Sequence, residues 1–161
     1  MTGKTRPEFA HWLALLLPAA LLVGAYGSQY VGGLYPCEMC WWQRYPHFAA
    51  VGIATVAFLV GNAGYRRALV ALAALAIATS GVIGGFHAGV EYGWWEGLTQ
   101  CTSTISGSGD DLLKSIMNAP LIRCDVAPWE LFGISLAGYN FFLSLGGAMF
   151  ILVKIWNSPK P

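Results

Sequence analysis

The chain has 161 residues, enough for one ordinary domain, with 56% hydrophobic and only 11% charged residues and a net charge of +1. A soluble domain needs roughly 25% charged residues to wet its surface. This composition, with a mean hydropathy of +0.55, therefore excludes an ordinary soluble domain and makes lipid the solvent for much of the surface. A net charge so small points to neither nucleic acid nor an acidic substrate, and the positions of the charges say more than their sum.

In chain order, Lys4 and Arg6 precede a first apolar stretch of about 20 residues, 12–31, the length a bilayer core requires. A signal peptide would place its charges in the same way. The stretch is long for one, however, and lacks a convincing small-x-small cleavage site, so an uncleaved anchor is expected. Pro18 is expected to kink this span, which membrane helices tolerate. A short segment, 32–40, carries Cys37 and Cys40, and a second span follows at 41–60. Arg66 and Arg67 separate it from a third span at 68–88. A longer segment, 89–131, carries Cys101 and Cys124, and the last span runs from 132 to 156, followed by Lys160. Spans this long without alternating polarity read as helices and not barrel strands. The expected fold is an all-α membrane protein, a single domain built as a four-transmembrane-helix bundle.

If the helices alternate up and down, Lys4, Arg6, Arg66, Arg67, Lys154 and Lys160 all fall on one side. The other side holds Glu38, Glu91, Glu96, Asp110, Asp111, Asp125 and Glu130. The positive-inside rule places both termini in the cytoplasm and the segments 32–40 and 89–131 outside. All four cysteines then lie in the outer loops, where disulfides persist. Because the topology rests on Lys and Arg alone, this agreement is independent support for it.

Three chemistries compete for the cysteines. A zinc site is disfavoured, because only Cys37 and Cys40 have short ligand spacing and they face an oxidising side. A c-type haem needs His after the second Cys, and Trp41 stands there. Structural staples remain open. Of the three possible pairings, the simplest is Cys37–Cys40 with Cys101–Cys124. A ring as tight as Cys-x-x-C removes little chain entropy and is a poor staple, which favours thiol exchange for that pair.

Arg44 lies about one turn inside the second span, where its charge is costly unless it snorkels or finds a partner. It is i+4 from Cys40 and shares its helix face. A guanidinium and a helix N-terminus both favour the reactive thiolate at Cys40. Arg44 could equally donate to a carbonyl arriving from the lipid. Electrons taken from thiols must leave, and the bilayer dissolves quinones, so the residues point to a membrane thiol oxidoreductase with a lipid-soluble acceptor. His47 falls on the same face one turn deeper, with no assigned role. His11 is expected to be incidental. Trp41, Trp42, Trp94 and Trp95 fit an interfacial aromatic belt. Leu112, Leu113, Ile116 and Met117 have the spacing of a short helix on the membrane surface, after a Gly/Ser-rich lead that would let the loop move.

Three stretches, "PCEMCWWQRYPH", "FHAGVEYGWWEGLTQC" and "CDVAPWELFGISLAGYN", resemble in order the disulfide bond formation protein B (DsbB) family of bacterial inner-membrane quinone reductases. The resemblance covers nearly the whole chain. It implies active cysteines on the periplasmic side of the inner membrane, a DsbA-like thioredoxin-fold partner, and ubiquinone or menaquinone as the acceptor. By position, Cys101 is the sulfur attacked by the partner, and Cys124 leaves and then acts on the Cys37–Cys40 disulfide. Cys37 relays to Cys40, which contacts the quinone, while Arg44 holds the quinone carbonyl and His87 lies nearby. Beside Glu91, i and i+4, His87 also reads as a plain interfacial histidine. Two alternatives stand. A vitamin-K-epoxide-reductase-like protein shares the architecture but commonly carries its Cys-x-x-C after the loop cysteines, not before them. A structural four-span protein would have merely disulfide-stapled loops.

Overall fold

The computed structural model describes residues 9–98 and 123–158. Four long helices dominate it: α1 (Phe9–Tyr30), α2 (Glu38–Leu59), α3 (Ala63–Glu91) and α4 (Leu136–Asn157). Between α3 and α4 lies a two-stranded antiparallel hairpin, β1 (Glu130–Leu131) and β2 (Ile134–Ser135). Local chemistry sets the helix starts. Cys37, Asn62 and Ser135 are N-caps, and each side chain accepts from the backbone N–H three residues on. Pro18 and Pro46 sit inside α1 and α2, each removing one backbone donor without ending its helix.

The last helix begins at Leu136, not at 132 as hydropathy suggested. Phe132 and Gly133 both have positive φ, 53° and 74°, which is what the two central residues of a type I′ hairpin turn require. The Tyr92 hydroxyl donates to Gly133 O at 3.1 Å and accepts from Ser135 N at 2.9 Å, tying the hairpin to the end of α3.

Packing between helices uses small residues. One cluster joins Ala10 and Ala14 of α1, Ala50, Ala54 and Ala57 of α2, Ala73 and Ala74 of α3, and Ala148 of α4, with Val70, Ile77, Ile151 and Ile155 filling it. Larger side chains such as Leu16, Val23, Leu75, Val82, Phe142 and Met149 point outward. Small inside and large apolar outside is how helices pack when lipid, not water, surrounds them. α1, α3 and α4 are each long and apolar enough to cross a membrane. α2 has the same length as α1 but carries Glu38, Gln43, Arg44 and His47 in its first half. At the far end of the bundle, Arg67 of α3 donates to Trp156 O and Ser158 O, satisfying carbonyls at the C-terminus of α4. The chain is thus a helical, multi-pass membrane protein.

Candidate redox site and the cavity beside it

The two ends of the Cys-x-x-C pair are placed by the start of α2. As N-cap, Cys37 accepts the Cys40 N–H on its Sγ at 3.2 Å, and the two Sγ atoms lie 2.6 Å apart as free thiols. The hydrogen bond to Cys40, then burial, pushes the Cys37 thiol up, so Cys37 keeps its proton. Cys37 is buried and Cys40 half-buried.

Cys124 packs in one buried cluster with Cys37, Met39 and Val90, and Cys40 rests against it. Cys124 is disulfide-bonded. Cys101, together with the surface helix expected near Leu112 to Met117, lies outside the described residues. Sequence separation gives no hint that Cys124 would meet Cys37; the return of the chain over the ends of α2 and α3 brings them together.

His87, on the last turns of α3, faces the same pair. Its Nε2 lies 3.6 Å from Cys37 Sγ and 3.7 Å from Glu91 Oε1, so the i, i+4 neighbour and the thiol share one ring nitrogen. The Cys124 backbone also hydrogen-bonds His87. Its tautomer follows from partners that have no choice. Asn140 Nδ2 donates to the Ser80 carbonyl at 3.1 Å and to Gln43 Oε1 at 2.9 Å. Gln43 Nε2 is left to donate to Met39 O at 3.1 Å and to His87 Nδ1 at 2.8 Å. Nδ1 therefore accepts, and the proton sits on Nε2. Cys37, Cys40 and His87 present ligand-type atoms within 4.8 Å of one another. The ring nitrogen among them, however, offers a hydrogen, not a lone pair, which suits a thiol and not a metal ion.

Arg44 is buried and does not snorkel. It reaches across to α1, where Nη1 donates to Gln29 Oε1 at 2.6 Å and Nη2 to Ala25 O at 3.2 Å. Its guanidinium carbon lies 4.7 Å from the Tyr26 ring and 4.8 Å from the Trp41 ring. Two acceptors and two aromatic faces hold the charge where lipid alone could not. Trp41 thus faces Arg44, more than a belt position requires. Gln29 and Tyr26 are partners that sequence reasoning did not name.

Cys40, Arg44 and His87 open on one cavity of about 370 Å³ between the helices, with Gln43, His47 and Asn140 on its wall. The rest of the lining is largely apolar, including Leu21, Leu22, Pro128, Trp129 and Leu143. His47 is joined through Nε2 to Asn140 Oδ1 and Ser80 Oγ, both at 2.9 Å. Sequence reading passed over Gln43, Ser80, Asn140 and Ser144. Their signal was polarity inside apolar spans, which is costly and rarely idle.

Disulfide-forming membrane oxidoreductases are the class that these helices and this dithiol suit. The chain matches the family "Disulfide bond formation protein DsbB" over residues 7–154, and it belongs to that family. Among curated relatives, it is 31% identical to Disulfide bond formation protein B of Paracidovorax citrulli, covering 92% of this chain and 88% of that one. It is also 31% identical to Disulfide bond formation protein B of Acidovorax sp., covering 89% and 85%. No solved structure matches the chain. The family match sets aside the vitamin-K-epoxide-reductase-like and purely structural alternatives.

Proposed function

We propose that this protein is a thiol:quinone oxidoreductase of the bacterial inner membrane that reoxidises a DsbA-like thioredoxin-fold protein in the periplasm. α2 would be the fourth span, its polar residues turned into the bundle, with both termini in the cytoplasm. The observation that carries this reading is that the half-buried Cys40 and the buried Arg44 line the same largely apolar cavity. Such a cavity, with few convergent polar groups, is the usual form of a small-molecule site.

A thiolate of the reduced partner attacks Cys101, and Cys124 leaves as a thiolate. Cys124 then attacks Cys37 and expels Cys40 as a thiolate, while the partner's second thiolate attacks its own mixed-disulfide sulfur, expels Cys101 and leaves the partner oxidised. The freed Cys101 displaces Cys37 from Cys124, which restores the loop disulfide and leaves Cys37 and Cys40 as a dithiol. Burial of Cys124 against Cys37 supports the second exchange. His87 Nε2–H lies within reach of Cys37 Sγ and steadies charge that forms there. A quinone of the ubiquinone or menaquinone type, when bound, supplies the acceptor for the two electrons and two protons of the dithiol. Arg44 provides the hydrogen bonds and positive charge that hold a ring carbonyl at Cys40.

The test is anaerobic quinone reduction by the purified protein, given a reduced thioredoxin-fold dithiol protein. Loss of quinone absorbance should be abolished in Cys40→Ala and weakened in Arg44→Ala. No reduction of any quinone with any reduced partner would overturn the proposal.

A further inference from the structure

The end of the bundle far from the cysteines holds a second cavity, an open groove of about 550 Å³ between the start of α3 and the finish of α4. Gly64, Ala68 and Ala71 line it from α3, and Leu152, Ile155 and Trp156 line it from α4. The α3 positions recur at i, i+4 and i+7, so one helix face carries only small residues there. The single charged group on the groove wall is the half-buried Arg67.

Arg67 spends one hydrogen of Nη1 on Ser158 O at 3.3 Å and one of Nη2 on Trp156 O at 3.2 Å. A guanidinium has five N–H groups, so three are left for other acceptors. Both carbonyls are neutral. The ion pairs among the described residues are His87–Glu91 and Arg123–Asp125, and neither involves Arg67. The described acids, Glu38, Glu91, Glu96, Asp125 and Glu130, all belong to the opposite end, where α2 starts and α3 finishes. Arg66 and Lys154 add further positive charge at the Arg67 end. The described residues thus supply no counter-anion for Arg67.

The helices of this multi-pass protein are surrounded by lipid, so lipid is what meets an apolar groove on their outer surface. The depth of the groove agrees with a headgroup. Trp156 lines it and is 83% exposed, as aromatic residues are where they mark the membrane interface. Arg67 touches the Trp156 backbone and so stands at that level. Basic pockets between transmembrane helices are suited to anionic headgroups. We propose that the groove binds an anionic phospholipid of the surrounding bilayer, with its phosphate on Arg67 and the top of one acyl chain along Ala68, Ala71 and Leu152. The guanidinium then joins two carbonyls at the end of α4 to one phosphate, and the lipid clamps α3 to α4. The site is remote from the redox cavity and independent of its chemistry.

The experiment uses the purified full chain in an uncharged detergent, titrated with phosphatidylglycerol or with phosphatidylcholine of the same acyl chains. Native mass spectrometry counts the bound lipids. The first phosphatidylglycerol should bind at least about fivefold more tightly than the first phosphatidylcholine, the factor expected of one basic side chain near an anionic surface. Arg67→Gln should erase that preference, whereas Arg66→Gln, which removes the same charge outside the groove, should keep it. Ala68→Leu, which fills the groove without altering charge, should weaken the first phosphatidylglycerol. Excess inorganic phosphate should not displace that lipid, because the groove also holds its acyl chain. Equal affinity for the two lipids in the unmodified protein, a result that no variant's folding can affect, would overturn the proposal. Equal losses in Arg66→Gln and Arg67→Gln would overturn it too, in favour of diffuse surface charge. So would undiminished binding in Ala68→Leu, or displacement by phosphate, which would mark an anion site without lipid.

Discussion

Gln43 of α2 donates from Nε2 to His87 Nδ1 of α3 across 2.8 Å, and this one bond decides which face of the imidazole carries a proton. With Nδ1 occupied, the N–H of Nε2 is turned to Cys37 Sγ, 3.6 Å away. The redox pair is thereby coupled to an amide buried deeper in the bundle, which is in turn fixed by Asn140 of α4. Replacing Gln43 by Leu removes the donor to His87 and the acceptor for Asn140 together. We expect a loss of about 1–3 kcal/mol in stability from the groups left unpaired. Quinone reduction should also slow about tenfold once the His87 proton is free to move to Nδ1. Thermal unfolding in detergent and stopped-flow absorbance measure the two effects.

At Gly84, α3 packs against side chains or backbone of both α2 and α4. A Cβ there would lie 2.9 Å from Asn140 Nδ2, 3.0 Å from Ala137 O and 3.1 Å from Gln43 Oε1. Gly84→Ala should destabilise by about 1–3 kcal/mol through overpacking. Gly52→Ala, with nothing within 4 Å of the new methyl, should be neutral or slightly stabilising because alanine is the better helix former. Melting curves of the two variants should move in opposite directions or, at the least, separate clearly.

Arg44→Lys keeps the charge and should still fail. Lysine cannot serve Gln29 Oε1 and Ala25 O with a planar fork while lying flat between Tyr26 and Trp41. The expected result is a quinone KM raised about tenfold or more, equivalent to about 1.4 kcal/mol of lost binding. A KM unchanged from that of the parent protein would remove Arg44 from the quinone contact.

The raised pKa of Cys37 has a direct chemical signature. A thiol pushed up holds its proton across neutral pH, so its thiolate fraction, and with it its nucleophilicity, stays low. Brief treatment of the reduced protein with a small alkylating agent near pH 7 should therefore modify Cys40 at least about tenfold faster than Cys37. Peptide mapping by mass spectrometry reads the ratio. Preferential labelling of Cys37 would contradict the assignment.

Much of the architecture was legible in the linear chain, because hydropathy and helix length are local properties. The four apolar stretches correspond to α1, α2, α3 and α4, with ends displaced by a few residues. α3 begins at Ala63, ahead of the expected 68, and α4 begins late, at Leu136, because Phe132 adopts a positive φ that is unusual for an aromatic residue. Nothing in the hydropathy of that stretch marks a turn. Cys37, Cys40, Arg44 and His87 were all singled out from spacing and resemblance, and the structure gathers them around the cavity and the cluster beside it. Cys101 lies outside the described residues.

By itself, the sequence determined that the chain lives in lipid, where its thiols cluster, and to which family it belongs. Composition, charge order and short motifs carry that information without any long-range contact. Only the tertiary structure decided that Arg44 is held by Gln29 and Ala25, that Cys124 packs against Cys37, and that Gln43, Asn140, Ser80 and His47 form one network. Those pairings join residues 15 to 97 positions apart. A hydrogen bond of that kind depends on which helix faces meet and at what height, and no local periodicity encodes either. The state of each imidazole follows from the partners so assembled, and with it the chemistry of the cavity.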